Sequence, residues 1–513
     1  MDIIEGILYG VDIDFKGDRT LTRFGRNAKN VQQHIVKVSE VIAKDVAEGK
    51  KAGPFDSPPF THFAVSPIGA VPKKGSDAIR VTHNLSHPFK GTTSVNVGIR
   101  DETFQLDTVN TACQAIRLAG SGCLLIKLDV EAAYKQVPVR QEDWPLLGFM
   151  WKGKYYYERT LPFGLKSSCR KWDMYASALH QFFQHIGVPT VIHYIDDFLF
   201  VIQFDLDLAH DLLDQCLKLC IHLGVPMASR KTEGPTTKLT FLGIQLDTVE
   251  MQASLPQDKL IELKRLTTDW CVMKHASTNE CESIVGKLSF ASSVVRPGRF
   301  YLRRLWNHIA KCKLICKHPD AKLQLTKDAL DDLRWWSEFI QQWNGVSIML
   351  ENEWTSAAKI ELYMDACTTG YGAVWDTAWF AGRWTEHQLA VAFRKKRDSM
   401  PFLELLALTF TAATWGHAWK GRKVVFRSDC MSVCHAITNR MSRNPSSMHL
   451  LRHLSSLACL HQFDFRCVHI PGKQNVLSDI LSRSGDCSQF RIEHPLAQQH
   501  MTRVVAVPLP QLQ

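Results

Sequence analysis

Residues 190–202 read TVIHYIDDFLFVI: two short apolar runs, rich in β-branched and aromatic side chains, with Asp196 and Asp197 between them. That pattern predicts a β-hairpin carrying two carboxylates at its tip. Upstream, LLIKLD (Leu124–Asp129) is another apolar strand-like run, and it also ends in an acid. Carboxylates beside buried strands carry a desolvation cost unless a cation compensates them. Where they cluster, a pair of Mg²⁺ ions is the usual solution, and such pairs serve phosphoryl transfer. On its own a Tyr-x-Asp-Asp string fits a polar hairpin turn equally well, so the rest of the chain must decide.

A second set of acids lies downstream. From Lys359 the pattern predicts three short strands (359–367, 371–376, 379–384), a helix (401–419) and a strand (423–429). One or two helices (431–460), a strand (462–470) and a last helix (474–482) complete it. Asp365 and Asp429 fall near strand ends, Glu404 and Asp479 on helices. Each alone is an ordinary acid. This order of strands and helices is expected to bring the strand-end acids and one helix acid to a single edge.

Composition narrows the class. The chain has 513 residues, 45% hydrophobic and 22% charged, with a net charge of +10. That is a globular composition of several domains rather than a disordered one. No window approaches about 18 uninterrupted apolar residues, so no membrane partner is expected. MDIIEGILYG lacks the basic and apolar regions of a secretory signal. The 15 cysteines are odd in number and include no CxxC, which points to a reduced, intracellular chain, in cytoplasm or nucleus. The pairs Cys216/Cys220, Cys312/Cys316 and Cys430/Cys434 read as helix-face cysteines rather than zinc ligands. Between Val285 and Lys317 stand eight basic residues and no acidic one. That tract suggests contact with a polyanion, while Arg394-Lys395-Lys396-Arg397 reads first as a plain exposed loop, with a hybrid-binding loop and a nuclear-import signal as alternatives.

The motifs in combination resemble those of a known family. LDVEAAY (128–134), LPFGLKSS (161–168), YIDD (194–197) and FLG (241–243) have the order and approximate spacing of reverse transcriptase motifs. The lead-in from Ser66 to Asn96 (SPIGAVPKK, IR, HNLSHP, SVN) is similar to the fingers of DIRS-like, tyrosine-recombinase retrotransposons. So are LPQDKL, GKLSFAS and RPGRFYLRRL. DACTTGYGAVW, FRSD and HIPGKQNVLSDILSR resemble retroelement RNase H, and the likeness spans roughly 30–484. Two departures stand out: Cys169 follows Ser168 where the family usually has proline, and Cys430 follows Asp429 where it often has asparagine.

The resemblance implies an α+β multidomain fold: a right-hand polymerase of fingers, palm and thumb, followed by an α/β RNase H-like domain. The expected division is an N-terminal extension (1–50), fingers and palm (51–250), thumb or helical connection (251–343), linker (344–358), RNase H domain (359–484) and tail (485–513). Asp129, Asp196, Asp197 and the Val130 carbonyl would hold metal in the polymerase. Lys73 and Arg80 would grip the triphosphate, Tyr134 would act as steric gate, and Phe163 and Gly164 would line the pocket. Phe241, Leu242, Gly243 and Ile244 would form the primer grip, and Lys287, Arg296, Arg299, Arg303 and Arg304 would track nucleic acid. Asp365, Glu404, Asp429 and Asp479 would hold metal in the nuclease, with His469 assisting. The implied cofactor is Mg²⁺, with Mn²⁺ as an alternative, two ions per site. The implied partners are RNA template, DNA primer, RNA–DNA hybrid, dNTPs and an element-encoded tyrosine recombinase. The competing expectation is a degenerate or domesticated copy that binds nucleic acid without catalysis. An RNA-copying viral polymerase is disfavoured, because it would not need the second acid set.

Overall fold

The computed structural model describes residues 3–72, 77–88, 94–315, 318, 320–347, 354–355, 362–394, 399–484 and 502–509. Lys73 and Lys395–Arg397 lie outside the described residues. The chain divides into two compact units, Met1–Leu242 and Gly243–Gln513.

In the first unit, the run LLIKLD forms a strand, Leu124–Asp129, and its near-complete burial explains its apolar sequence. It pairs antiparallel with Asp197–Ile202, which pairs with Val191–Tyr194 in the expected hairpin. Glu233–Thr236 closes a four-stranded sheet on the other side. Phe183 on the helix Ser168–Ile186 packs edge-on against Phe198 and Phe200 of the hairpin. That helix ends at Gly187, whose φ of 112° suits a residue without Cβ. A second, five-stranded sheet holds Lys51–Phe55, Gly148–Trp151 and Lys154–Glu158. Ile68–Pro72 and Ile79–His83 form a separate hairpin.

The first fifty residues are not an extension. Val11, Ile13 and Phe15 are buried in the core beneath the four-stranded sheet, and Val31, Val38 and Ile42 pack under Phe149 and Trp151. Spaced apolar residues among polar ones hide this role, because their partners lie on distant strands and helices. This stretch also forms a 3₁₀ turn (Lys29–His34) followed by an α-helix, Ile35–Ala47.

The second unit joins a helical region to a mixed sheet. Helices Gln257–Val272, Thr278–Ala291, Arg303–Ile315 and Lys327–Gln342 come first. A six-stranded sheet follows, in the order 464–469, 423–428, 362–366, 370–375, 378–383, 502–503. The central strand Leu362–Ala366 is antiparallel to Gly370–Trp375 and parallel to Lys423–Ser428. The helix Ser399–Trp415 is apolar nearly all round and almost wholly buried, as a central helix must be. On the sheet, Leu477 and Leu481 of the helix Val476–Ser484 pack with Val374 and Trp379.

Two expected boundaries shift. In the segment read as a linker, 344–358, the described residues include Gly345–Ser347, which pairs with Gln252–Ser254, and Thr355, which bonds Lys423 and Val425 of the sheet. The segment read as a tail adds an edge strand, Thr502–Arg503, parallel to Ala378–Trp379.

The helical region and the sheet share buried contacts. Phe300 belongs to the core of the sheet region. Arg452 Nη2 donates to the Phe300 carbonyl (3.3 Å) and to Asp332 Oδ1 (2.9 Å). Burial pushes Asp332 up to about 6, against the pull of Arg452 and Arg304. Its folded form therefore holds a proton that the unfolded chain has released, so its contribution to stability falls as pH rises from about 4 through 6. Arg452→Met should lower stability by about 3–5 kcal/mol, the usual result of stranding one partner of a buried pair. Adding Asp332→Leu should restore most of that loss. Denaturant melts of the full chain check this, and a single variant as stable as the wild type would overturn it.

Candidate polymerase and nuclease sites

The hairpin register sets the first site. Asp197 stands directly opposite both Asp129 and Tyr194, so two acids meet across neighbouring strands. Ile195 has φ of 57°, which turns the chain tightly at the tip. The Val130 N–H donates to the Asp196 carbonyl (3.0 Å), and the Trp172 indole donates to the Ile195 carbonyl (2.7 Å). The tip is thus fixed from two sides. Asp129 is 4% exposed, and Lys231 Nζ lies 2.8 Å from each of its carboxylate oxygens. Burial and the charges of Asp196 and Asp129 push Asp197 up to about 6; burial and Asp129 also raise Asp196. The three acids face Lys231 at hydrogen-bond distance, with Lys127 acting on Asp197 and Arg80 on Asp196 from further off. An all-oxygen donor set of that kind fits a hard divalent cation.

Around this tip the expected pocket residues converge. Tyr134 sits on a 3₁₀ turn, Ala133–Gln136, with its ring 5.2 Å from that of Phe163, and burial, then the neighbouring Cys169 thiol, raises its hydroxyl pKa. The Arg80 guanidinium lies 4.5 Å over the Phe163 ring. Gly164 has φ of 110°, and a Cβ there would stand 2.0 Å from the His83 carbonyl oxygen. Asn96 Nδ2 donates to the Gly164 carbonyl (2.9 Å), while its Oδ1 accepts from the Lys166 N–H (2.9 Å). Gly164→Ala should therefore distort the pocket, with dNTP KM raised about tenfold or more. Steady-state primer extension measures it; an unchanged KM would show that the loop does not face the nucleotide.

Of the expected primer grip, Phe241 is fully buried, and Leu242 and Gly243 have positive φ (48° and 76°). In the second unit Lys259 Nζ donates to the Gly243 carbonyl (2.9 Å), and Ile244 opens the strand Ile244–Asp247.

In that unit Asp365 (5% exposed), Glu404 (4% exposed) and Asp429 bring ligand atoms within 4.8 Å of one another. Asp365 sits on the central strand, Glu404 on the buried helix, and Asp429 just past Lys423–Ser428. Asp365 is held by Ser482 Oγ (2.7 Å) and Asn475 Nδ2 (3.2 Å). Burial pushes Asp365 up to about 6, and burial with the neighbouring acids raises Glu404 well above the carboxylate range. Glu404 Oε2 is buried without a hydrogen-bond partner. A buried carboxylate oxygen without a donor, between two further acids, again fits a divalent cation. His469 Nε2 donates to the Asp429 carbonyl (3.1 Å). Asp479 stands apart from the trio, paired with Arg483 (2.7 Å).

Lys231, Trp172, Asn96, Asn475 and Ser482 were not singled out as site residues. Three of them carry a signal: Asn96 ends the SVN string, and Asn475 and Ser482 lie within HIPGKQNVLSDILSR. The basic tract is more balanced than its sequence suggests. Lys287 pairs with Glu262 (2.6 Å), Arg296 with Asp464 (3.3 Å) and Lys313 with Glu282 (2.7 Å). Arg304 lies 3.7 Å from both Asp328 and Asp332. Burial lowers the Arg299 pKa, while Arg303 is exposed beside exposed Trp306.

Residues 71–246 match the reverse transcriptase (RNA-dependent DNA polymerase) family. Over 377 residues the chain is 22% identical to the genome polyprotein of Petunia vein clearing virus, isolates Shepherd and Hohn. That alignment covers 71% of this chain and 16% of the polyprotein, so the chain spans only a fraction of these curated relatives. The foamy viral protease–reverse transcriptase in complex with RNA/DNA hybrid is similar at a TM-score of 0.51 and 13% identity, covering 89% of this chain and 56% of that one. Its dRH form in complex with double-stranded DNA is similar at 0.50 and 14%, covering 89% and 73%. These likenesses concern the fold, an α+β multidomain right-hand polymerase followed by an RNase H-like domain. Over residues 71–246 the chain carries a reverse transcriptase domain, of the kind found in viral and retroelement polyproteins.

Proposed function

We propose that the chain is an RNA-directed DNA polymerase and ribonuclease H of a DIRS-like retrotransposon. It copies element RNA into DNA and degrades the RNA strand of the resulting hybrid. The observation that carries this reading is the presence of two separate acid clusters at strand ends, one in each unit. Asp129, Asp196, Asp197 and the Val130 carbonyl hold the polymerase cations. Asp365, Glu404, Asp429 and Asp479 hold those of the nuclease. Bound Mg²⁺, or Mn²⁺ in its place, supplies Lewis acidity to the attacking and leaving oxygens of phosphoryl transfer. The chain's own residues position the reactants. Arg80 and Lys73 bind the triphosphate, Tyr134 faces the sugar, and Phe163 and Gly164 shape the pocket. Arg303 and its basic neighbours contact the backbone of template, primer and hybrid, and His469 assists the nuclease.

The alternative is a degenerate copy that binds nucleic acid without catalysis. Asp365, Glu404 and Asp429 bring their ligand atoms together, and Asp129, Asp196 and Asp197 meet at the hairpin tip, which supports the enzyme. Mg²⁺-dependent primer extension on an RNA template decides between them: no extension by purified, folded protein would leave the binding-only reading. A tyrosine recombinase reading frame beside the gene would support the DIRS-like assignment, and a DDE-type integrase would redirect it.

A further inference from the structure

Behind the turn that carries Tyr134 lies a buried group of four charges. Lys135, the next residue of that turn, places Nζ 2.6 Å from Glu158 Oε2. Lys51 Nζ lies 3.0 Å from Glu158 Oε1 and 2.6 Å from Asp45 Oδ2, and Lys135 Nζ lies 3.7 Å from Asp45 Oδ2. The Lys51 and Glu158 side chains are only 2% and 4% exposed. Three elements meet here: Asp45 on the helix Ile35–Ala47, Lys51 at the start of one strand and Glu158 at the end of another. His83 is buried nearby and feels the charge of Glu158. Its Nε2 is 3.0 Å from the Gly148 carbonyl, and its backbone N–H donates to the Phe163 carbonyl (2.8 Å). The group therefore carries the turn of Tyr134 directly on Lys135, while His83, within reach of the Glu158 charge, bonds the Phe163 carbonyl.

A buried ion network of this kind is a weak source of stability, because desolvation offsets most of the attraction; what it can fix is geometry. The turn needs fixing. Ala132 enters it at φ 51°, ψ 44°, a left-handed conformation that costs an L-residue roughly 1–2 kcal/mol. The backbone bond that closes it runs from the Lys135 N–H to the Ala132 carbonyl (2.7 Å). Four residues of 3₁₀ turn with a strained entry would not hold an aromatic ring in one place unaided. We propose that the Asp45–Lys51–Glu158–Lys135 group is a positioning device, which holds the Tyr134 ring against the sugar of the incoming nucleotide and so sets discrimination between deoxy- and ribonucleotides.

This rests on the reading of Tyr134 as the sugar-facing wall of a polymerase, and the test separates the two. Single-nucleotide primer extension by the full chain is measured with dNTPs and with rNTPs. Glu158→Gln alone leaves two lysines against one aspartate and is expected to destabilise the fold. Lys135→Met with Glu158→Gln removes one charge of each sign and keeps the Lys51–Asp45 pair. In this double variant kcat/KM for dNTPs should stay within about threefold, while KM for rNTPs falls and discrimination drops about tenfold. If melting shows that it is unfolded, Asp45→Asn with Lys51→Met breaks the group at its other end and takes its place. Tyr134→Ala is run alongside. Relaxed discrimination in Tyr134→Ala with a wild-type ratio in the folded double variant overturns the positioning role and leaves the gate standing. An unchanged ratio in Tyr134→Ala overturns both.

Discussion

Asp196→Asn is expected to abolish primer extension, by roughly three orders of magnitude or more, and to leave cleavage of an RNA–DNA hybrid near wild type. Asp429→Asn should do the reverse. The argument is spatial. Asp196 sits at a hairpin tip in the first unit, fixed by Val130, while Asp429 sits beside Asp365 and Glu404 in the second. No acid of either cluster belongs to the other. Replacing a carboxylate by an amide keeps the shape and removes one anionic donor. The measurement is the pair of assays on the pair of variants. Survival of both activities in either variant would sink the two-site reading, and loss of both in one variant would point to misfolding.

Glu404→Gln should likewise abolish hybrid cleavage, and it should make the metal-free protein more stable. Glu404 is buried, its Oε2 lacks a hydrogen-bond partner, and Asp365 and Asp429 lie against it. A folded carboxyl whose pKa is raised costs stability above its unfolded pKa, about 1.4 kcal/mol for each unit. The sign follows: the penalty is absent near pH 4 and grows as pH rises. The glutamine variant should therefore melt above the wild type at pH 8 in chelator, and the two should converge near pH 4. Added Mg²⁺ should reverse the order, because only the wild type gains from binding. A variant that melts lower at both pH values would mean that Glu404 is not held against repulsion.

The sequence made the acids legible because local pattern sets their positions. Leu124–Asp129 and Asp197–Ile202 are apolar runs bounded by carboxylates, and a strand of that kind needs no distant information to be recognised. What it hid was non-local. Val11, Ile13 and Phe15 look like scattered apolar residues until the sheet that covers them is formed. The tract from 285 to 317 looks unbalanced because its counter-charges lie outside it, in flanking segments at Glu262, Glu282, Asp328 and Asp332 and far along the chain at Asp464. Lys231 gave no signal at all, since only folding brings it to Asp129. The helical region and the sheet read as separate domains, because no sequence pattern pairs Phe300 and Asp332 with Arg452.

That last contact governs how the protein can be dissected. A truncation between the helices and the sheet region would not be a clean excision. It would strip Arg452 from Asp332 and open the core around Phe300, so each half would carry a raw surface and tend to aggregate. A silent nuclease fragment prepared that way would report damage rather than chemistry. Single-residue changes in the full chain are the sound way to tell the two proposed activities apart.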